Sequence, residues 1–422
     1  MIQLQKITIF IFLLIASSVS AQEALSLDEC YSLVTKNYPL AKQSGLLAKQ
    51  NNLEVAVINT AKLPTLNFSA QASYQSDVTE LPIKLPNITV DPPNKDQYKA
   101  VVSVNQLIFD GGAVNASAEA KTATLKTQQK QVEVSLYQLK KQINQLYFSI
   151  LLIQEKKGLL TAKTTQLTAK LKEVKAGIEY GSLLPTSDKI LEAEILKIEQ
   201  QFTELDQNKS SLISTLSNLI GKEIPSTIVL KNPTIEANLD EKINRPEIDL
   251  FNLQKQQIAA SEKLIAKKNI PKVLGFASGG YGNPGLNFLD HSFQAYYMVG
   301  IKLNWNIFDW SASKKQRKSL QVQKEIIDNQ REIFQLNTHI ELNQQQSEID
   351  KISTFIQSDE TIIALRKKIL QSADAQLKNG VITSSAYITE LTNLYEAENN
   401  VSTHKIELLL AKANYKITKG IP

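Results

Sequence analysis

Proline is absent from residues 94 to 184 and again from 285 to 421, and glycine is absent from 301 to 379. Proline removes a helical hydrogen bond, and glycine costs on the order of 1 kcal/mol against alanine inside a helix. Stretches lacking these residues permit long unbroken helices. Apolar spacing supports the same reading: Leu136, Leu139, Ile143, Leu146 and Ile150 step by three and four along one face, with Gln, Lys and Glu filling the rest. A helix from about Gly112 to about Ala176 would be on the order of 100 Å long at about 1.5 Å per residue, deeper than an ordinary globular domain. A second begins after Asp309 and continues to about Leu377. Each meets a break, GIEYGSLLP or LKNGVITSS, and then a further helical run, Ser187 to Ile220 in one case and Ser385 to Ile417 in the other.

The two hairpins belong to a duplication. NQLIFDGG, at 105 to 112, reappears as NWNIFDWS at 304 to 311, with Asn105, Ile108, Phe109 and Asp110 matched by Asn304, Ile307, Phe308 and Asp309 at an offset of 199. Gly181 and Gly380 share that offset, while Pro39 with Pro246 and Pro64 with Pro271 share an offset of 207. The eight-residue change falls in one interval, which fits a tandem repeat with one loop of different length.

The segments before the long helices have a period of two. Leu66, Phe68, Ala70, Ala72 and Tyr74 alternate with Asn67, Ser69, Gln71, Ser73 and Gln75, and Tyr297, Val299, Ile301, Leu303, Trp305 and Ile307 alternate with Met298, Gly300, Lys302, Asn304 and Asn306. Strands of about ten residues with one apolar and one polar face have the length and pattern to cross a bilayer between lipid and water; a sheet packed on its apolar face in a soluble protein is the alternative. Weaker strands near Lys99 to Gln106 and Val273 to Tyr281 complete a pair in each half. Their Pro-, Asn- and Asp-rich connections read as surface loops that absorb the length difference. Asp110 and Asp309 fall where strand turns into helix, placed to cap the first free amides; a catalytic carboxylate is the sharper alternative.

Four strands cannot close a barrel, and in lipid an open edge leaves backbone groups unpaired at several kcal/mol each. The chain must therefore oligomerise, and three copies give about twelve strands around an aqueous lumen.

Residues 1 to 21 read as a signal peptide: Lys6, the apolar run ITIFIFLLIA, and small residues Val19, Ser20 and Ala21 before Gln22; a retained anchor is the alternative. Beyond it no stretch of 18 uninterrupted apolar residues offers a transmembrane helix, which leaves a β-barrel open. The lone Cys30 excludes an intramolecular disulfide or a CxxC pair. The charge of +5, from 47 basic and 42 acidic side chains, is dispersed along helical stretches without the basic–aromatic clustering of a nucleic-acid surface. His291, His339 and His404 are isolated, and no HExxH, GxSxG or Walker glycine loop is present. No catalytic residue, cofactor or metal is expected.

The residues resemble the TolC-like outer-membrane efflux proteins. The likeness runs from about Leu25 through LSLDECYSLVTKNYPL, LPTLNFSAQASY, LIFDGG, GSLLPTSDKILEAE, LSNLIG and NRPEI to NGVITSSAYITELTNLYEAENN, and the order and duplication of these motifs make it specific. It implies a mainly α fold with a β-barrel portion. Two tandem repeats, each two transmembrane strands and a long coiled-coil hairpin, would form a trimeric twelve-stranded barrel continued by an α-helical tunnel. The implied setting is the outer membrane of a Gram-negative bacterium. The implied partners are two further copies, outer-membrane lipid, a periplasmic adaptor and an inner-membrane pump of the RND, ABC or MFS type, in efflux or type I secretion. The helical breaks would be periplasmic tips that receive the adaptor, at Gly181, Ser182 and Leu183 and at Gly380, Val381 and Ile382. Family members often carry acidic gate residues six and nine positions after the second glycine; Ala386 and Thr389 stand there, with Asp188 and Glu390 as nearby substitutes or else as solvent-side helix-start carboxylates. Tyr180 and Tyr387 would narrow the aperture or pack between helices.

The expected divisions are a signal peptide (1–21), a first repeat of helix, two strands and hairpin (22–221), a linker (222–243) and a second repeat of the same plan (244–422). A periplasmic adaptor scaffold is the rival reading, but it would show one hairpin within a single small β-domain.

Overall fold

The computed structural model describes residues 25–79, 92–235 and 242–421. The expected signal peptide, part of the loop after Tyr74 and part of the linker lie outside the described residues. In chain order the elements are α1 (Leu27–Asn37), α2 (Ala41–Thr60), β1 (Thr65–Tyr74), β2 (Asp96–Phe109), α3 (Ala113–Glu179), α4 (Ser187–Ile220), α5 (Pro246–Lys267), β3 (Lys272–Asn283), β4 (Gln294–Asn304), α6 (Ala312–Lys378) and α7 (Ser384–Lys419).

The repeat is visible in these bounds. Adding 199 to the limits of α3, 113 and 179, returns those of α6, 312 and 378, and carries the end of α4 at 220 to the end of α7 at 419. Adding 207 carries the end of α2 at 60 to the end of α5 at 267, and the start of β1 at 65 to the start of β3 at 272. The first half opens with two helices rather than the single one expected. Pro39 forces Tyr38 out of the helical region, to φ −58° and ψ 137°, so α1 ends at Asn37 and α2 begins only at Ala41. Pro246 interrupts nothing, because it is the first residue of α5, where its missing N–H costs no helical bond.

The chain divides into two compact units. One comprises Ser44–Gln131 and Asp249–Arg331 and holds α2, α5, the first parts of α3 and α6, and a four-stranded antiparallel sheet in the order β1-β2-β3-β4. β1 with β2 and β3 with β4 are hairpins, and the β2·β3 ladder joins the two repeats.

The other unit holds α1, α4, α7 and the remainders of α3 and α6. Its first core cluster gathers Leu27, Cys30 and Val34 of α1, Ile143, Tyr147, Phe148 and Ile150 of α3, Ile213, Leu216 and Ile220 of α4, and Ile406 and Ala413 of α7. Ser26 caps α1 by accepting the Glu29 N–H at 3.2 Å. The buried Tyr147 hydroxyl lies 2.9 Å from the Leu25 carbonyl and 2.8 Å from that of Lys231, tying the start of the first repeat to the segment after α4. Cys30 is buried and unpaired, and burial pushes its thiol up to about 12, so it behaves as a small apolar side chain.

Candidate functional site

Two regions stand out: the sheet, and the ends of the helical hairpins.

Register sorts the sheet into two chemically distinct faces. Leu66, Phe68, Ala70 and Ala72 of β1 stand opposite Val104, Val102, Ala100 and Tyr98 of β2. Val104 and Val102 in turn face Ala277 and Gly279 of β3, and Ala277 faces Val299 of β4, with Ile301 and Leu303 on the same face. Leu66, Phe68, Val299 and Ile301 are each more than 70% exposed, so the described residues leave these side chains uncovered. Tyr74, Tyr98, Tyr281 and Phe293 gather at one end, where Phe293 lies 5.6 Å from Tyr281 and 6.0 Å from Tyr98, centroid to centroid. Trp305, Phe308 and Trp310 are exposed just past the other end of β4. Aromatic residues above and below an aliphatic band are the pattern of a strand spanning a bilayer. The opposite face carries Asn67, Ser69, Gln71, Ser103, Asn105, Ser278, Asn304 and three lysines, Lys99, Lys272 and Lys302, interspersed with Val101, Leu107, Leu274, Phe276 and Met298.

β1 and β4 are edge strands. The counterpart of β2 in the second repeat would span 295–308, yet β4 stops at Asn304, short of the Ile307 end expected from alternation. β2 is paired on both sides and β4 on one, and residues 305–309 lack the second ladder that holds their first-repeat counterparts extended.

Both strand-to-helix turns use the aspartate. Asp110 accepts the N–H of Gly112 at 2.8 Å and of Val114 at 2.6 Å; Asp309 accepts the Ser313 N–H at 3.0 Å and an Asn269 amide at 2.8 Å. Gly111 and Gly112, at φ +64° and +84°, are replaced in the second repeat by Trp310 and Ser311, at +53° and +60°. The turn keeps its geometry after losing the glycines that adopt it without strain.

The far ends of α3 and α6 terminate identically. Gly181 (φ +72°) donates to the Ile178 carbonyl at 3.0 Å, and Ser182 to that of Gly177 at 2.8 Å; Gly380 (φ +68°) donates to Leu377 at 3.0 Å, and Val381 to Gln376 at 2.8 Å. These paired bonds are Schellman caps, which need a residue free to enter the left-handed region. Gly181, Ser182, Gly380 and Val381 are exposed, and Leu183 and Ile382 are half-buried against the core of the hairpin ends. Tyr180 projects into solvent, whereas Tyr387 is buried among Leu377, Leu391 and Leu370, and burial raises its pKa. Asp188 lies 3.2 Å from Lys189; Glu390 lies 3.4 Å from Arg366 and accepts from Asn393 at 3.3 Å.

Sequence reading missed the charged interior of this region. Leu160, Lys163, Leu167, Lys170 and Val174 step by three and four, so two lysines occupy an otherwise apolar stripe, and both are buried. Lys163 pairs with Glu194 at 2.9 Å and lies 5.0 Å from the centre of the Tyr395 ring. Lys170 bridges Asp374 and Glu173 and lies 5.5 Å from the Tyr387 ring centre. Burial opposes its charge, yet the hydrogen bonds with Asp374 and Glu173 raise its pKa overall. Glu192 accepts from Lys175 at 2.8 Å and Lys189 at 2.9 Å, with Lys175 the larger influence, and its carboxyl falls to about 2. Among the described residues no cluster of three or more His, Cys, Asp or Glu is arranged to hold a metal, and no helix is long and apolar enough to cross a membrane.

Residues 40–219 match the family of outer membrane efflux proteins. Across nearly the whole chain the fold is that of solved outer-membrane channels. VceC from Vibrio cholerae superposes with a TM-score of 0.66 at 14% identity, covering 93% of this chain and 96% of its own. The open state of MtrE from Neisseria gonorrhoeae gives 0.65 at 14% identity over 94% and 89%, and CmeC from Campylobacter jejuni 0.62 at 14% over 94% and 86%. No curated protein matches the sequence. The resemblance to TolC-like outer-membrane efflux proteins read from the motifs stands, and with it a mainly helical fold with a small antiparallel sheet; the matched family is one of efflux proteins rather than enzymes.

Proposed function

We propose that three copies of this chain form a passive channel-tunnel in the outer membrane, the exit duct of a tripartite efflux or type I secretion system. The observation that carries the reading is the open sheet: an uncovered apolar face and two unpaired edges on strands of bilayer length. Both liabilities vanish if β4 of each copy pairs with β1 of the next and the apolar face meets lipid. The tips around Gly181, Ser182 and Leu183 and around Gly380, Val381 and Ile382 would receive a periplasmic adaptor, which links the tunnel to an inner-membrane pump. Opening would separate the hairpin ends, with Asp188, Glu390 and Tyr180 at or near the constriction and Tyr387 packed between the helices behind it. The adaptor alternative accounts for neither two helical hairpins nor a pair of membrane-type strands in each repeat.

The test is reconstitution in an efflux-deficient outer-membrane strain together with the cognate adaptor and pump, scored by drug accumulation and by the mass of the detergent-extracted protein. A trimer whose presence lowers accumulation is expected. A monomer soluble without detergent would overturn the reading.

A further inference from the structure

The strands carry four charged residues: Asp96, Lys99, Lys272 and Lys302. The aspartate opens β2 opposite Tyr74, in the register of the apolar face and at its rim. All three lysines lie on the polar face, Lys99 opposite Gly282, Lys302 opposite Leu274, and Lys272 opposite Asn304. Lys272 and Lys302 are diagonal neighbours near one end of the sheet, and Lys99 stands near the other. All are exposed, and among the described residues no carboxylate pairs with any of them. The bias extends to the whole unit bearing the sheet, which has 20 Lys and Arg against 13 Asp and Glu, while the other has 27 against 29, together the chain's 47 and 42.

We infer that the inner wall of the barrel favours anions, and that the solutes leaving through it carry net negative charge. The inference rests on the trimeric reading above, which turns three unpaired lysines into nine around one lumen. Lysines spaced along the polar face have only uncharged neighbours there: Asn67, Ser69, Gln71, Ser103 and Asn105 solvate either sign. A wall of one sign bounded by low-dielectric lipid concentrates counter-ions by about tenfold or more. The effect reaches roughly 10 Å from the wall at 0.1 M salt and about 3 Å at 1 M.

The test is conductance of purified trimer in a planar bilayer across a KCl gradient, with inositol hexakisphosphate added on the side of the strand loops. The wild-type pore is expected to favour chloride at 0.1 M KCl, to lose that preference toward 1 M, and to be blocked by the polyanion. Lys99→Gln/Lys272→Gln/Lys302→Gln should weaken the block about tenfold, and the matching Lys→Arg triple should retain it, which separates charge from damage to the fold. A pore that conducts but favours potassium, or one whose block survives the glutamine triple, overturns the inference and leaves the conduit intact. Inserted trimer that forms no pore overturns the conduit and this inference with it.

Discussion

A Cβ built on Gly380 would lie 3.3 Å from the carbonyl oxygen of Ser182, so the turn that ends α6 touches the turn that ends α3. The matching position on Gly181 meets nothing within 4 Å. Both glycines hold a left-handed conformation that costs another residue about 1–2 kcal/mol, but only Gly380 adds a steric conflict with the neighbouring tip. Replacing either by leucine is expected to abolish export without dispersing the trimer, and Gly380→Leu should also distort the adjoining turn. Accumulation assays paired with native mass measurement check this; normal efflux from both variants would remove the tip assignment.

The pH response of the hairpin end follows from Glu192. Its carboxyl titrates near 2 in the folded chain against 4.5 ordinarily, because Lys175 and Lys189 hydrogen-bond its charged form. A depressed carboxylate contributes stability above its ordinary value and loses it as pH falls from about 4.5 toward 2. Glu192→Gln should therefore lower the melting temperature at pH 7 and approach wild type near pH 2. Circular-dichroism melts of both proteins between pH 7 and pH 2 measure the gap; one that stays constant with pH would refute the assignment.

The repeat offsets give a register for the proposed pairing of β4 in one copy with β1 in the next. Within the chain Asn105 of β2 faces Phe276 of β3. Adding 199 to the first and subtracting 207 from the second places Asn304 of one copy opposite Ser69 of the next, on the polar face. Residues directly opposite bring their Cβ atoms to about 4.5–5.5 Å, near the range of a disulfide. Ser69→Cys/Asn304→Cys in a Cys30→Ser background should cross-link into trimers on oxidation, seen on a non-reducing gel, whereas Ser69→Cys/Met298→Cys should not. Equal cross-linking of both pairs would dismiss this register.

The glycine-free turn before α6 predicts a reciprocal pair of stability changes. Gly112 has no neighbour within 4 Å of an added Cβ, so Gly112→Ser tests backbone strain alone. It should destabilise by about 1 kcal/mol, and Ser311→Gly should stabilise by up to a similar amount. Chemical denaturation in detergent compares them; a Gly112→Ser protein as stable as wild type would contradict the strain argument.

Much of this was legible in the sequence because duplication repeats its landmarks. Pro64 and Pro271 mark the residue before β1 and β3, and the absence of proline after 94 and 285 left α3 and α6 free to run 67 residues each. Alternation located β1 within a residue, because each of its side chains has an unambiguous face. It overran β4 because Trp305 and Ile307 keep the alternating pattern while the chain supplies no ladder beyond Asn304. The second opening helix was missed because the pairing of Pro39 with Pro246 hid a break on one side and a helix start on the other. Lys163 and Lys170 escaped notice because a lysine is read as solvated until the carboxylates of other helices are known to face it.

The equal length of α3 and α6 leaves little freedom for drift. One inserted residue in either would advance everything beyond it by about 1.5 Å and turn it by about 100°. Lys170 would then swing away from Asp374, and the two caps would no longer finish level. Seven residues nearly restore the phase, so natural variation in the length of these helices should come in whole heptads and in both repeats together.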